Sequence, residues 1–326
     1  MGLKDFLKRL AGGGGKESAA SHAPAPDAGK DVAELARRLG MAVAELQGFA
    51  PAYHTFTVPK RKGGTRTISA PADPLKKLQK CILRRLLGRL KVHPAVRGFE
   101  RGHSIVTHAL PHAGRAVVLH MDIKDFFPAT AAKRVHAYFR RIGWNKPAAD
   151  LLVKLCTHDG GLPQGAPTSP RLSSLVNYRM DERLSAVAEK LKLAYTNSKP
   201  LQVSAQRPTP GIVYTRYADD LTFSFAADDR GAVASVIRLT KEVVGEEGYQ
   251  LHQKKKLRIM RRHDRQMVTG LVVNEVVQLP RAVRLRLRAV RHHLDTGKPA
   301  SLTEAQLAGW DSLTHMIAAQ SQPPQA

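Results

Sequence analysis

The chain has 326 residues, with 52 Lys and Arg against 27 Asp and Glu and a formal net charge of +25. That length allows a sizeable core and two or three packed subdomains, and so large a cationic excess points to a polyanionic partner, nucleic acid first. No apolar run approaches the roughly 18–20 residues of a spanning helix, no secretory leader is visible, and Cys81 and Cys156 sit in apolar helical patterns, as expected of buried thiols in a reducing compartment.

Residues 1–30 pass from a short amphipathic piece, Leu3 to Leu10, through Gly12–Gly15 into an Ala-, Pro- and Ser-rich stretch. Such a composition cannot bury enough surface to order itself and predicts a disordered tail. Asp31 and Glu34 form a capping box for a helix that stops at Gly40, and a second short helix is expected over Val43–Phe49. Tyr53–Lys60 alternates as a strand, Arg61–Gly64 turns, and Thr65–Ser69 returns, which makes a basic hairpin carrying Lys60 and Arg66. Leu75 to Leu90 has helical spacing, with Leu75, Leu78, Ile82 and Leu86 on one face and Lys76, Lys80, Arg84 and Arg85 on the other. His108 and His112 lie four apart, with His103 and His120 near in sequence. Pro111 interrupts a clean helix and no cysteine completes a familiar zinc set, so core or RNA-contacting histidines are expected.

Ala116–Asp122 is an apolar run ending in a carboxylate, the pattern of a buried strand that delivers an Asp at its edge. Ala132–Ile142 and Pro147–Cys156 read as helices. Gly161–Pro170 is a Gly- and Pro-rich loop opening a helix, and Gly165 would let its backbone approach a neighbour closely. Leu172, Leu175, Val176, Met180 and Leu184 keep the spacing of a core helix, whereas Asn197–Pro210 is a polar insertion to which no chemistry is assigned. In Gly211–Phe225, apolar and β-branched residues flank Asp219 and Asp220 on both sides, a strand, tight turn and strand. Adjacent carboxylates repel and prefer water or a divalent cation. A solvated turn is the alternative, but flanks this apolar put the pair at the rim of a buried sheet. If this hairpin neighbours the strand ending at Asp122, then Asp122, Asp219 and Asp220 converge, and three carboxylates can hold two Mg²⁺ for phosphoryl or nucleotidyl transfer.

Ala232–Val244 follows as an amphipathic helix, then a dense basic run over Lys254–Arg265, then strand-like Gln266–Asn274 with a break at Gly270. In Pro280–Leu294, Arg281, Arg284, Arg288 and Arg291 share one helical face and Val283, Leu287, Val290 and Leu294 the other. Ser301–Ile317 supplies one more helix.

Asp122-x-x-x-Phe126-Phe127, Leu162-Pro163-Gln164-Gly165 and Tyr217-Ala218-Asp219-Asp220, in this order, resemble the palm motifs of reverse transcriptases. Gln164–Pro170, Arg216–Ser224 and Val268-Thr269-Gly270 resemble those of bacterial retron reverse transcriptases. The resemblance runs from about Tyr53 to about Arg291. It implies an α+β right-hand polymerase with an antiparallel palm sheet, a fingers insertion and a small helical thumb. Residues 31–115 would be N-terminal helices and fingers, 116–277 palm, and 278–326 thumb.

The resemblance implies site roles as well. Asp122, Asp219 and Asp220, with the Ile123 carbonyl, would hold two Mg²⁺. Phe127, beside Phe126, is similar to the steric gate that excludes a ribose 2′-OH, and Asp125 would orient backbone N–H groups near the triphosphate. Lys60, Arg66 and Gln164 would touch the incoming dNTP, and Lys255 would assist pyrophosphate departure. Val268, Thr269 and Gly270 would recognise a cognate noncoding RNA and form the primer grip. Arg281, Arg284, Arg288 and Arg291 would follow an RNA–DNA hybrid. The chain departs from the family pattern at His108 and His252, both Asn in the family, and at Lys256, where the family has Thr.

The function implied is that of a bacterial cytoplasmic enzyme. It would copy a structured RNA, both template and primer, into branched RNA-linked single-stranded DNA (msDNA), in anti-phage defence beside a separate effector protein. Two alternatives stay open: another bacterial defence or diversity-generating reverse transcriptase with a different template, and a non-catalytic RNA-binding protein on a polymerase scaffold.

Overall fold

The structure, a computed structural model, describes residues 27–60, 63–198, 211–252 and 257–321, with backbone alone over 192–198. In chain order the elements named below are α1 (Val32–Leu39), α2 (Val43–Gly48), β1 (Tyr53–Pro59), β2 (Thr65–Pro71), α3 (Asp73–Ile82, continued by a π turn over Leu83–Leu87), α4 (Ile105–Ala109), β3 (Val117–Asp122), α5 (Phe126–Ala129), α6 (Ala132–Arg141), α7 (Lys146–Cys156), α8 (Ser169–Val176) and α9 (Tyr178–Ser198). Then come β4 (Ile212–Tyr217), β5 (Asp220–Phe225), α10 (Arg230–Glu246), β6 (Arg258–Arg261), β7 (Met267–Val268), β8 (Leu271–Val272), α11 (Arg281–Asp295) and α12 (Glu304–Ser321).

The chain forms two compact units. The first gathers the described residues up to Leu90 with Thr130–Val176, and the second gathers Lys91–Ala129 with the described residues from Asn177 onward. This division follows pairing in space rather than chain order. Residues 95–97 lie along β4: the Arg216 amide donates to the Ala95 carbonyl at 2.9 Å and the Arg97 amide to the Arg216 carbonyl at 2.8 Å. Residues from 278 onward share a core with the sheet-bearing unit.

In the first unit, α1 begins where the Asp31 carboxylate accepts the Glu34 amide and ends on Gly40 at φ 72°, as the capping residues dictate. Residues 27–30, expected with the tail, are tied down: Asp27 accepts from Arg140 and from the Lys146 amide, and Lys30 donates to the Gly143 carbonyl at 2.8 Å. Residues 1–26 lie outside the described residues. β1 and β2 pair antiparallel from Tyr53↔Pro71 to Pro59↔Thr65. Buried Gln79 on α3 joins the Tyr53 hydroxyl to the Leu155 carbonyl, at 3.0 and 2.8 Å. Cys156 is buried and Cys81 half-buried, both as free thiols. Burial pushes the Cys156 thiol up to about 12.

The second unit is built on a four-stranded antiparallel sheet in the order β4-β5-β3-β6, with α9 packed on β4 and against α10. β3 is central and buried, which is why its sequence is almost continuously apolar. Val118 of β3, Val106 of α4, Val268, Leu271, and Leu287, Val290, Leu307 and Ile317 of α11 and α12 form one hydrophobic cluster. The expected α+β class with an antiparallel sheet is what the structure has.

Candidate active site

The site begins with β3. Its apolar side chains are buried in the sheet, and Asp122, the last residue, is 8% exposed at the strand's end. Across the ladder Asp122 is the direct partner of Asp220. β4 and β5 close on a two-residue loop, Ala218-Asp219, with Tyr217 opposite Asp220. Ala218 takes φ 54°, the positive value that tight hairpin turns between twisted strands demand at a central position. The Ile123 amide donates to the Asp219 carbonyl at 3.0 Å. Backbone pairing therefore brings Asp122, Asp219 and Asp220 to one corner of the sheet. His252, read in the sequence only as a departure, lies there too: its amide donates to the Asp122 carbonyl at 2.8 Å and its Nε2 is 3.4 Å from Asp122 Oδ1.

Among the described residues, no group of three His, Cys, Asp or Glu side chains is drawn together tightly enough to hold a metal ion. The fold thus supplies the carboxylates' positions without gathering their oxygens around one point. As a donor set, three carboxylates on adjoining strand ends suit a hard divalent cation, which takes oxygen ligands.

Beyond Asp122 the chain turns sharply. Asp125 is exposed at φ 46°, and α5 starts at Phe126. The Phe126 ring is buried, with Tyr249 5.7 Å from it and the Arg216 guanidinium 5.5 Å away. Phe127 is half-buried 5.6 Å from Phe126, so one ring anchors the segment and the other stays partly accessible. A recess of about 890 Å³ opens beside this strand, with Lys124, Lys241, Tyr249 and His252 in its wall.

In the first unit, Lys60 and Arg66 are exposed on the β1–β2 hairpin. The Gln164 carbonyl accepts the Ser69 amide at 2.9 Å, which ties the Leu162–Gly165 loop to β2. Gly165 sits at φ 128°, and a Cβ there would meet Ile68 Cγ2 at 3.0 Å and the Ser69 carbonyl oxygen at 3.1 Å. The close approach expected of this glycine is real, and its neighbour is β2. Gln164 is half-buried. Lys255 and most of the 197–210 insertion lie outside the described residues.

His108 and His112 resolve as core. His112 has no exposed surface; its Nδ1 is 2.7 Å from the Ser224 hydroxyl and its Nε2 2.7 Å from that of Thr215, so it bridges β5 and β4. Burial, with His108 and His120 nearby, holds its pKa well below the usual range. His108 is also unexposed, and burial with His120 and Arg97 nearby pushes it down to about 3. His120 Nε2 is 2.8 Å from the Met267 carbonyl oxygen.

The break expected at Gly270 is a hairpin turn: β7 and β8 close on Thr269 and Gly270, at φ 45° and 86°. Gly270 is exposed, and Thr269 donates its hydroxyl to the Ile105 carbonyl at 3.1 Å. The Val268 side chain, expected to help recognise RNA, is instead wholly buried in the hydrophobic cluster, against which Met267 also packs, so it has no surface to offer RNA. On α11 the expected faces are present: Leu287 and Val290 are buried, while Arg281, Arg284, Arg288 and Arg291 are exposed. Arg284, Arg288 and Arg291 line a cavity of about 350 Å³ floored by Leu287 and Ile317, where Arg291 pairs with Asp311.

One arrangement had no local signal. Arg216 and Asp181, both without exposed surface, form a buried ion pair, and the Tyr214 hydroxyl donates to Asp181 Oδ1 at 2.8 Å. Burial opposes the charge on Arg216, but the Asp181 carboxylate outweighs it and raises the guanidinium pKa further. Gly98 passes so close to the hairpin that a Cβ would lie 3.1 Å from both the Ala218 amide nitrogen and Tyr217 Cγ.

Comparison with known proteins agrees with these motifs. The family described as reverse transcriptase (RNA-dependent DNA polymerase) matches residues 58–273. The chain is 37% identical over 329 residues to the retron Mx162 reverse transcriptase of Myxococcus xanthus, covering 88% of this chain and 64% of that one. It is 37% identical over 310 residues to the retron Mx65 reverse transcriptase of the same organism, covering 87% and 67%. It is 34% identical over 261 residues to the retron Ec86 reverse transcriptase of Escherichia coli, covering 79% and 74%.

Proposed function

The chain belongs to the reverse transcriptase family, among the retron reverse transcriptases, and from that premise we propose that it is an RNA-directed DNA polymerase copying a structured noncoding RNA. The observation that carries this reading is the pairing of Asp122 with Asp220, together with the Ile123 amide on the Asp219 carbonyl. A polyanion-binding protein without chemistry has no need of three carboxylates set together in a chain of net charge +25.

Asp122, Asp219 and Asp220, with the Ile123 carbonyl, are the residues that would hold two Mg²⁺. Bound there, the ions would lower the pKa of the attacking hydroxyl and neutralise charge on the triphosphate. The protein's own groups do the rest. Phe127, steadied by Phe126, excludes the 2′-OH of a ribonucleotide. Asp125, at its positive φ, shapes the turn whose N–H groups face the phosphates. In the first unit Lys60, Arg66 and Gln164 are the proposed nucleotide contacts, Arg66 by a bidentate fork. Lys255 is proposed to assist the departing pyrophosphate.

Thr269 and Gly270 at their hairpin tip, and the Arg281, Arg284, Arg288 and Arg291 face, are proposed to meet the RNA and the RNA–DNA hybrid. The same RNA serves as primer through an internal 2′-OH, giving msDNA. The proposed setting is the bacterial cytoplasm, in anti-phage defence with a separate effector protein. No helix among the described residues is long and apolar enough to cross a membrane.

The test replaces Asp219 and Asp220 together by Asn. Incorporation of dNTPs on a primed RNA template should fall to background while RNA retention on a filter survives. Unchanged synthesis would remove the catalytic assignment.

A further inference from the structure

Asp219 is held on both sides of its Cα. The carbonyl that follows it accepts the Ile123 amide at 3.0 Å. The carbonyl that precedes it, that of Ala218, accepts from Arg216 Nη1 at 3.1 Å. The first bond is ordinary sheet edge. The second comes from a side chain with no exposed surface, whose Nε and Nη2 donate to Asp181 Oδ1 and Oδ2, each at 2.7 Å. The same guanidinium lies 5.5 Å from the Phe126 ring centre. One buried cation thus reaches the turn before Asp219, the anchor ring beside Phe127, and a carboxylate on α9.

Stability alone does not account for this arrangement. Desolvating both charges offsets most of their attraction, and apolar residues of similar volume often serve as well. What apolar residues cannot supply is a fixed donor for the Ala218 carbonyl. Ala218 sits at φ 54°, a conformation unfavourable to any residue with a Cβ. A turn kept there needs a partner that does not move, and a forked guanidinium locked on Asp181 is one.

Resting on the polymerase reading above, we propose that Arg216 and Asp181 are a positioning pair for nucleotide addition. They hold the Ala218–Asp219 peptide so that the Asp219 carboxylate keeps its place beside Asp122 and Asp220, and they brace Phe126 behind Phe127. Neither residue touches substrate.

The experiment uses Arg216→Lys in the full chain. An ammonium keeps the charge but cannot fork Asp181 and reach the Ala218 carbonyl together. The folded variant should lose about 100-fold in kcat for dNTP addition, as misplacement of a reacting group does. Mn²⁺ should bind the free protein more weakly, read by electron paramagnetic resonance without turnover. Adding Ala218→Gly should restore part of both, because glycine takes positive φ unaided. A purely structural pair gives a loss that follows the melting temperature and no rescue by glycine.

Should Arg216→Lys not fold, Asp181→Leu with Tyr214→Phe and Arg216→Met removes the buried side-chain partners at once and leaves the Ala218 carbonyl without its donor. This triple variant should fold and show the same losses. A folded variant of either kind with wild-type kcat and Mn²⁺ affinity overturns the proposal, as does failure of both to fold, which would make the pair structural. If the wild-type chain adds no dNTP, the proposed function has failed instead, and the Mn²⁺ titration still decides on Arg216.

Discussion

Asp122 and Asp220 are direct partners across an antiparallel ladder, although five helices among the described residues separate the strands that carry them. Cross-strand partners lie about 5 Å apart at Cα, so the two residues stand side by side on one face of the sheet. Asp219, one residue earlier on the hairpin turn, completes the corner. Four consequences of the fold can be measured.

Phe127→Ala should relax discrimination against ribonucleotides. Its half-buried ring stands on the buried ring of Phe126, so truncation opens space without unseating the segment. Loss of a hydrophobic wall is worth about 10- to 200-fold in selectivity. Single-nucleotide incorporation with paired dNTP and rNTP measures it, and an unchanged ratio removes Phe127 from the gate.

Replacing Arg284 and Arg288 by Ala should weaken binding to an RNA–DNA hybrid and flatten its dependence on salt. Both side chains are exposed on α11, beside the buried Leu287. Losing phosphate contacts lowers the log–log salt slope by roughly one to two. A slope equal to that of the wild type would mean this face never meets phosphate.

Gly165→Ala should destabilise the first unit and raise KM for dNTP. The new Cβ would have to enter a positive-φ backbone at 3.0 Å from Ile68 and 3.1 Å from the Ser69 carbonyl. Forcing such a conformation costs about 1–3 kcal/mol, and relief requires the loop bearing Gln164 to leave β2. Thermal denaturation and steady-state kinetics report the two effects. A variant unchanged in both would show the loop free to shift.

The buried histidines should make the protein acid-sensitive. His108 titrates near 6.5 when unfolded, but burial holds it down to about 3 when folded, and His112 is depressed in the same direction. Below about pH 6.5 the unfolded chain therefore binds more protons than the folded one. Stability is complete above that pH and falls as pH drops toward the folded values, by up to about 1.4 kcal/mol per pH unit for each histidine. Neither ring nitrogen of His108 has a hydrogen-bond partner among the described residues. His108→Phe should thus flatten the trend without orphaning a neighbour. Urea denaturation at about pH 5 and about pH 7 decides it.

Much of this was legible along the chain because it is local. A continuous apolar run ending in a carboxylate located β3, and apolar, β-branched flanks located the Asp219–Asp220 hairpin. Capping chemistry placed α1 between Asp31 and Gly40. Two interleaved 3–4 spacings separated the arginine and apolar faces of α11. Three short motifs in order located the candidate site, since each is a turn or strand end whose chemistry sits in a few consecutive residues.

What the sequence determined by itself was which segments form strands, turns and helices, and which of them carry carboxylates or cations. The tertiary structure alone decided who meets whom. It opposed Asp122 to Asp220, sank Arg216 onto Asp181 35 positions away, turned His112 to the hydroxyls of Thr215 and Ser224, and withdrew Val268 into the core. Local periodicity encodes the face on which a residue lies, but the order of strands in a sheet is settled by packing the whole chain at once.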